Sequence, residues 1–448
     1  MGNNIISIGI FFDGTGNNGI NAMASRKPLI NNESYYSNTT NIYKLFRLFS
    51  GDEKLYVEGI GTVAGKEDSD FAMATCRNPG KSLGYSSDDK LDKAFSFIEE
   101  IISDKNRKYE LYIYGFSRGA MLARNLCNEL LRPESLVQAD ITIKFLGAFD
   151  TVESCAFSNY NVKLLPKIEK ALHLCALNEF RYFFPLTGFF EESGEMNDSK
   201  YETEHHVWKE IFVPGAHADV GGGYLESSES VYVSPEAISG GERFSNMENI
   251  RERTAITQEN SVWNYLLKNI KLDRGNTSSQ AYIERDCVYS EISKIYGRLM
   301  LTESNYEQEI FKTDFDESDF LIDVEKHPYL AKLYHELEKY IENLCPEMKP
   351  DYNYENLADY THISANFGLF HGGIQSKSRI IHKELINNRL NVATHSDDQF
   401  SKNQSKINSE IHHIENSVVD YAYGMNIPNN DNWSRTILLN KESLYNKY

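Results

Sequence analysis

Three side chains in this chain are of the types, and in the order, that acyl transfer requires: Ser117, Asp150 and His217. A serine hydroxyl is a poor nucleophile until a base takes its proton. An imidazole serves as that base when a carboxylate fixes its tautomer and stabilises its cation. Ser117 lies in Gly115-Phe116-Ser117-Arg118-Gly119, the pattern G-x-S-x-G, after the apolar run that ends at Tyr114 and before a helical run from Ala120 to Leu131. Glycines on both sides let a strand turn sharply into a helix and present the hydroxyl at the edge of a sheet. The N–H of Arg118, one residue past the serine and at a helix N-terminus, is suited to stabilise a developing oxyanion. Asp150 follows the run Thr142 to Phe149, and His217 stands in Pro214-Gly215-Ala216-His217-Ala218-Asp219-Val220-Gly221-Gly222-Gly223-Tyr224 after the run Ile211 to Val213. Asp219 is the alternative acid, and it would need His362 or His371 as its base.

The segment Phe12-Asp13-Gly14-Thr15-Gly16-Asn17-Asn18-Gly19 carries the spacing G-x-G-x-x-G, yet no amphipathic helix follows it, which argues against dinucleotide binding. It lacks the first Asp of a D-x-D-G-T phosphotransfer loop, because Phe11 stands there. As the loop after a first strand, it would lend a backbone N–H near Gly14 or Thr15 to the oxyanion hole while Asp13 orders it. No metal is expected: His217-x-Asp219, His205-His206 and His412-His413 lack spaced Cys or His partners. Asp314, Asp316, Ser318 and Glu325 fall at calcium-loop spacing, but Asp319 holds the place of the required Gly, so a solvated acidic loop is expected. No cofactor is called for.

Residues so spaced need a scaffold that brings strand ends together. Short β-rich runs at Ile5 to Phe12, Leu55 to Val57, Leu111 to Tyr114, Thr142 to Phe149 and Ile211 to Val213 alternate with helical patterns at Leu91 to Ile102 and Ala120 to Leu131, the latter stopped by Pro133. That order predicts an α/β architecture, a mostly parallel sheet covered by helices on both faces. Beyond Tyr224 the pattern turns largely helical, with Leu330, Leu333, Tyr334, Leu337, Tyr340, Ile341 and Leu344 along one helix face. The expected divisions are a catalytic core over 1–225, with 151–207 as a lid or insertion, a helical continuation over 226–386, and a polar segment over 387–448 that reads as a loose tail or an interaction segment.

Across 448 residues the formal charge is −19, which opposes nucleic-acid binding, and 41% hydrophobic content excludes a disordered chain. Six cysteines without C-x-x-C spacing imply no disulfide framework, and the N-terminus has no signal-peptide pattern, so synthesis in a reducing cytoplasm is expected. An acidic enzyme acting on a bilayer would dock by apolar side chains, for which Tyr182 to Phe190 with Phe189 and Phe190 is the candidate, the equal alternative being an ordinary buried loop.

Six ordered blocks resemble the α/β-hydrolase family that includes the first class of type VI secretion phospholipase effectors. They are Phe12 to Thr15, Thr40 to Tyr43, Tyr56 to Thr62, Gly115 to Ala120, Phe149 to Val152 and Pro214 to Tyr224, with sparser likeness at Val262-Trp263 and His362-Ile363-Ser364. The resemblance implies a Ser117, Asp150, His217 hydrolase of A1 or A2 type that cleaves glycerophospholipid acyl esters at a membrane. It also implies delivery on a secretion-apparatus carrier into the target cell's periplasm, and restraint by an immunity protein. Ala171 to Leu186 resembles a helical family motif, with Asn178 and Phe180 where charge is usual. The competing functions are a soluble carboxylesterase or thioesterase, and an inactive hydrolase fold used for interaction.

Overall fold

The run Ile5–Phe12 forms strand β1, and its alternation defines the two faces of a sheet: Ile8, Ile10 and Phe12 pack on one side, Phe11 on the other. A computed structural model describes residues 5–28, 32–102, 107–132, 139–155, 160–181, 183–190, 196–232, 265, 270–274, 279–366, 392–393, 426, 435 and 437–438. Pro133, Tyr182, Val262, Trp263, His371, His412 and His413 lie outside them.

β1 is flanked in parallel by β2 (Glu53–Val57) and β3 (Lys108–Phe116). β4 (Asp140–Phe149), β5 (Ile168–Ala176) and β8 (Val207–Val213) extend the parallel sheet, and β7 (Ser199–Glu202) closes it antiparallel, giving the order β2-β1-β3-β4-β5-β8-β7. The chain reverses its direction of growth between β1 and β3, and in open α/β sheets the crevice at that point, outside the carboxyl ends of the strands, is where ligands bind. The fold is α/β-hydrolase-like, as expected. Strand β6 (Leu186–Thr187) belongs to a separate small sheet.

Crossover helices cover the sheet. Of the helices α1 (Gly19–Ala22), α2 (Glu33–Tyr36), α3 (Asn41–Leu48), α4 (Asp70–Thr75), α5 (Ser87–Ile101), α6 (Arg118–Leu130) and α7 (His217–Gly221), two cover the face that carries Ile8 and Ile113: α5, capped by Ser86 with Asp88 and Asp89 in its first turn, and α6. The other face carries an aromatic layer in which Phe11 stacks on Tyr114 at 5.1 Å and meets Phe49 and Phe311 edge-on. Against it pack α3 and the helices Ile292–Ser304 and Pro328–Asn343, the second along the predicted stripe. Among the described residues, no helix is long and apolar enough to cross a membrane.

Several expectations differ from what the chain does. Among the described residues, Ala171 to Leu186 is not helical: it contains most of β5, an interior strand, so part of the segment read as a lid or insertion lies inside the sheet. Among the described residues beyond Tyr224, strands precede the helices: β9 (Ser227–Tyr232), β10 (Lys271–Arg274) and β11 (Ser279–Val288) form an antiparallel sheet. In the acidic loop expected to be solvated, Asp314, Asp316, Ser318 and Glu325 are exposed, whereas Asp319 is buried and pairs with Arg47 at 3.2 Å. Phe189 is buried against His173 and Arg124 and cannot serve as a docking tip. Among the described residues of 387–448, β12 (Val392–Ala393) pairs with β13 (Ile437–Leu438), which runs parallel to β6 with both its side chains buried.

Candidate active site

Ser117 occupies the turn between β3 and α6 with φ 59° and ψ −129°, a region that non-glycine residues rarely adopt. The flanking glycines explain how the turn closes. A Cβ on Gly115 would sit 2.5 Å from the Ala120 Cα, and one on Gly119 would sit 2.4 Å from the Asp13 carbonyl oxygen. Ser117 holds the N-cap position of α6, but its hydroxyl makes no capping bond and is left for other chemistry. The Arg118 guanidinium donates to the Ser154 carbonyl at 3.1 Å and contacts Cys76 Sγ, which anchors the first helical residue while its N–H precedes the helical ladder.

The end of β4 is laced to this turn. Ser117 N–H donates to the Phe149 carbonyl at 3.0 Å, and Val152 N–H donates to the Ser117 carbonyl at 3.3 Å. Between them Asp150 takes φ 40°, a second strained residue, and its carboxylate is fully enclosed. Oδ2 lies 2.6 Å from His217 Nδ1, and Oδ1 accepts the Ala176 N–H at 2.9 Å. Burial alone would raise this carboxyl's pKa; the Arg435 guanidinium, then the bond to His217, hold it down at about 2. Thr151, next along, donates its N–H to His173 Nε2 at 3.0 Å, so His173 carries its proton on Nδ1 and donates to Glu210 at 2.8 Å. His173, Cys175 and Glu210 could converge on a metal ion by distance, but both imidazole nitrogens are already engaged in bracing the loop after β4.

His217 opens α7. Its ring is held between Phe116, at 4.5 Å between centroids, and Phe184, edge-on at 5.0 Å, which seats the imidazole beside the residue preceding Ser117. Burial lowers its pKa, against the opposing pull of Asp150, so the imidazole is neutral near pH 7, with Nδ1–H on Asp150 and Nε2 free to accept. Ser117 Oγ and His217 Nε2 make no hydrogen bond with each other. Asp219 does not face His217. It accepts from Ala216 N–H and His362 N–H, each at 2.9 Å, and its Oδ1 lies 2.7 Å from His362 Nδ1, forming a separate pair under the Tyr224 ring.

The loop after β1 closes the crevice. Asp13 accepts from Tyr56 at 2.5 Å, from Thr40 at 2.7 Å and from Gly14 N–H at 2.8 Å. Gly14 N–H is therefore spent on Asp13, while among the described residues Thr15 N–H has no acceptor and the buried Thr15 Oγ1 no partner. Of the two residues expected to lend a second oxyanion donor, the geometry favours Thr15. Burial drives the Asp13 pKa up to about 6, with the three donors opposing it.

Sequence reasoning missed two contributors. Glu179, fully buried, accepts three bonds from Arg181, one from Ser364 Oγ at 2.9 Å and one from His217 N–H at 3.3 Å, and so ties the base to distant segments. Arg435 places Nη2 3.0 Å from Asp150 Oδ1 and 3.1 Å from Oδ2. No local signal marked Arg435; Glu179 and Arg181 are visible only as charges within a run otherwise apolar.

Residues 7–138 and 130–248 match the model of the family described as the type VI secretion phospholipase effector Tle1-like catalytic domain. A solved structure of the Tle1 effector bound to the VgrG spike of the type VI secretion system superposes with a TM-score of 0.56 at 21% identity, covering 82% of this chain and 85% of that one. An uncharacterized protein from Pseudomonas aeruginosa aligns at 17% identity and TM-score 0.38, over 79% of this chain and 52% of its own. No curated protein matches.

Proposed function

The chain belongs to the Tle1-like phospholipase effector family of the type VI secretion system, and from that premise we propose that it is a serine-dependent phospholipase of A1 or A2 type acting on glycerophospholipid acyl esters. The observation that carries this reading is the 2.6 Å contact of Asp150 with His217 at strand ends shared with the strained Ser117 turn.

In this mechanism His217 Nε2 takes the Ser117 proton as Oγ attacks the ester carbonyl. The N–H groups of Arg118 and Thr15 hold the oxyanion, and the protonated imidazole returns its proton to the leaving lysolipid alkoxide. Water, deprotonated by the same imidazole, then releases the fatty acid. Asp150 stabilises each imidazolium that forms.

The same reading includes synthesis in the cytoplasm, transport on a spike-type carrier such as the one to which the Tle1 effector is bound, action in the target cell's periplasm, and an immunity protein that restrains it. The test is release of fatty acid and lysophospholipid from vesicles of phosphatidylethanolamine and phosphatidylglycerol, comparing the native protein with Ser117→Ala by mass spectrometry. Release by the native protein alone is expected, and the lysolipid isomer decides between A1 and A2. Activity confined to soluble short-chain esters would replace the lipase reading with a carboxylesterase. Failure of Ser117 to react with a fluorophosphonate, together with no hydrolysis of any ester, would leave a non-catalytic fold.

A further inference from the structure

Asp150 is a carboxylate without solvent, and its neighbour His217 is neutral in the resting state, so its charge needs a second source of compensation. Among the described residues, Arg435 is the one cationic side chain in contact with it. Nη2 bridges the two carboxylate oxygens at 3.0 and 3.1 Å, and the side chain is itself fully buried. The chain two residues on is held by strand pairing. Ile437 and Leu438 pair with Leu186 and Thr187, Thr187 N–H donates to the Thr151 carbonyl at 2.9 Å, and Val152 bridges Leu186, so three short segments converge beside Asp150.

We propose that Arg435 is a positioning residue for the triad, holding Asp150 as the anion and turning Oδ2 toward His217 Nδ1 before the imidazole is charged. The inference rests on the triad reading above. Both effects have one electrostatic sign. With Arg435 present, the state in which His217 has lost its proton leaves a compensated carboxylate; with Arg435 neutralised, that state leaves a lone buried anion, and the pair keeps its proton to higher pH. Other charged or titratable groups act on the pair: Glu179 and Arg181 on His217, and His173 and Cys175 beside Asp150. All of them remain in place in an Arg435 variant.

The experiment compares the full-length native chain with Arg435→Met, Arg435→Gln and Arg435→Lys. One readout is the pH profile of kcat/KM on a soluble fluorogenic ester; the other is the low-field proton resonance of His217 Nδ1–H followed against pH. The neutral variants are expected to lose about 10-fold or more in kcat at pH 7 and to titrate at higher pH in both readouts. Arg435→Lys is expected to keep the native midpoint and recover much of the rate. An unmoved midpoint in the neutral variants, even with a uniform loss of rate, overturns the proposal; if those variants fail to fold, Arg435→Lys is compared with the native chain, and a midpoint displaced to higher pH overturns it. The resonance reports on the Arg435–Asp150–His217 linkage whether or not the chain hydrolyses esters. Loss of the phospholipase reading would show separately, as a native protein whose Ser117 resists fluorophosphonate.

Discussion

Asp13 shows how a residue outside the proposed triad governs the site. Its carboxyl is buried among Tyr56, Thr40 and Gly14 N–H, and a pKa near 6 means that folding binds a proton which the unfolded chain has released above about pH 4. Stability drawn from this residue is therefore greatest at low pH and declines between about pH 4 and 6. Asp13→Asn, which keeps an acceptor for Gly14 and Thr40, should gain on the native protein by on the order of 2–3 kcal/mol over that interval, read from denaturant midpoints at pH 4.5 and 7.5. Asp150→Asn should lower kcat by about 10⁴-fold and also lower the melting temperature, because it leaves the buried Arg435 guanidinium without its counter-charge. For the native enzyme, burial of His217 places the acid limb of kcat/KM below the usual histidine range, checked on a soluble ester between pH 4 and 8. Ser117, Asp150 and His217 were legible because each follows an apolar strand run. Arg435 was not, since it lies 285 positions from Asp150 in a polar stretch and owes its place to a long-range strand pairing.

At the scale of elements, β1, β3 and β4 could be read from largely apolar runs, as strands buried on both faces should be. β5 could not: Ile168, Ala171, Leu172 and Cys175 fall at helical spacing, and only enclosure between β4 and β8 makes the segment a strand. Its polar His173 is tolerated because Glu210 on the adjacent β8 pairs with it. The turn into α6 depends on close approach to the loop after β1. Gly119→Ala would press a methyl group onto the Asp13 carbonyl, costing about 1–3 kcal/mol and pushing the Thr15 donor away. The expected result is a kcat at least about 10-fold lower with KM little changed, measured alongside a thermal melt.

The whole molecule is built around a core shared by sheet and C-terminal helices: Tyr114, Phe145 and Leu174 touch the same cluster as Tyr296, Leu333 and Leu337. A chain ending at Tyr224 would expose that aromatic face. It should show no cooperative thermal transition, whereas the full-length chain should melt as a unit through this region. The clamp on Asp150 also imposes an order in time. Ser117, Asp150 and His217 are all polymerised by residue 217, while Arg435 comes 435 − 217 = 218 residues later, about 10–40 s at ordinary rates of synthesis. On the proposed reading, a ribosome-bound intermediate carries Ser117, Asp150 and His217 without Arg435, so the full rate would be reached only once the chain has folded back on its own beginning.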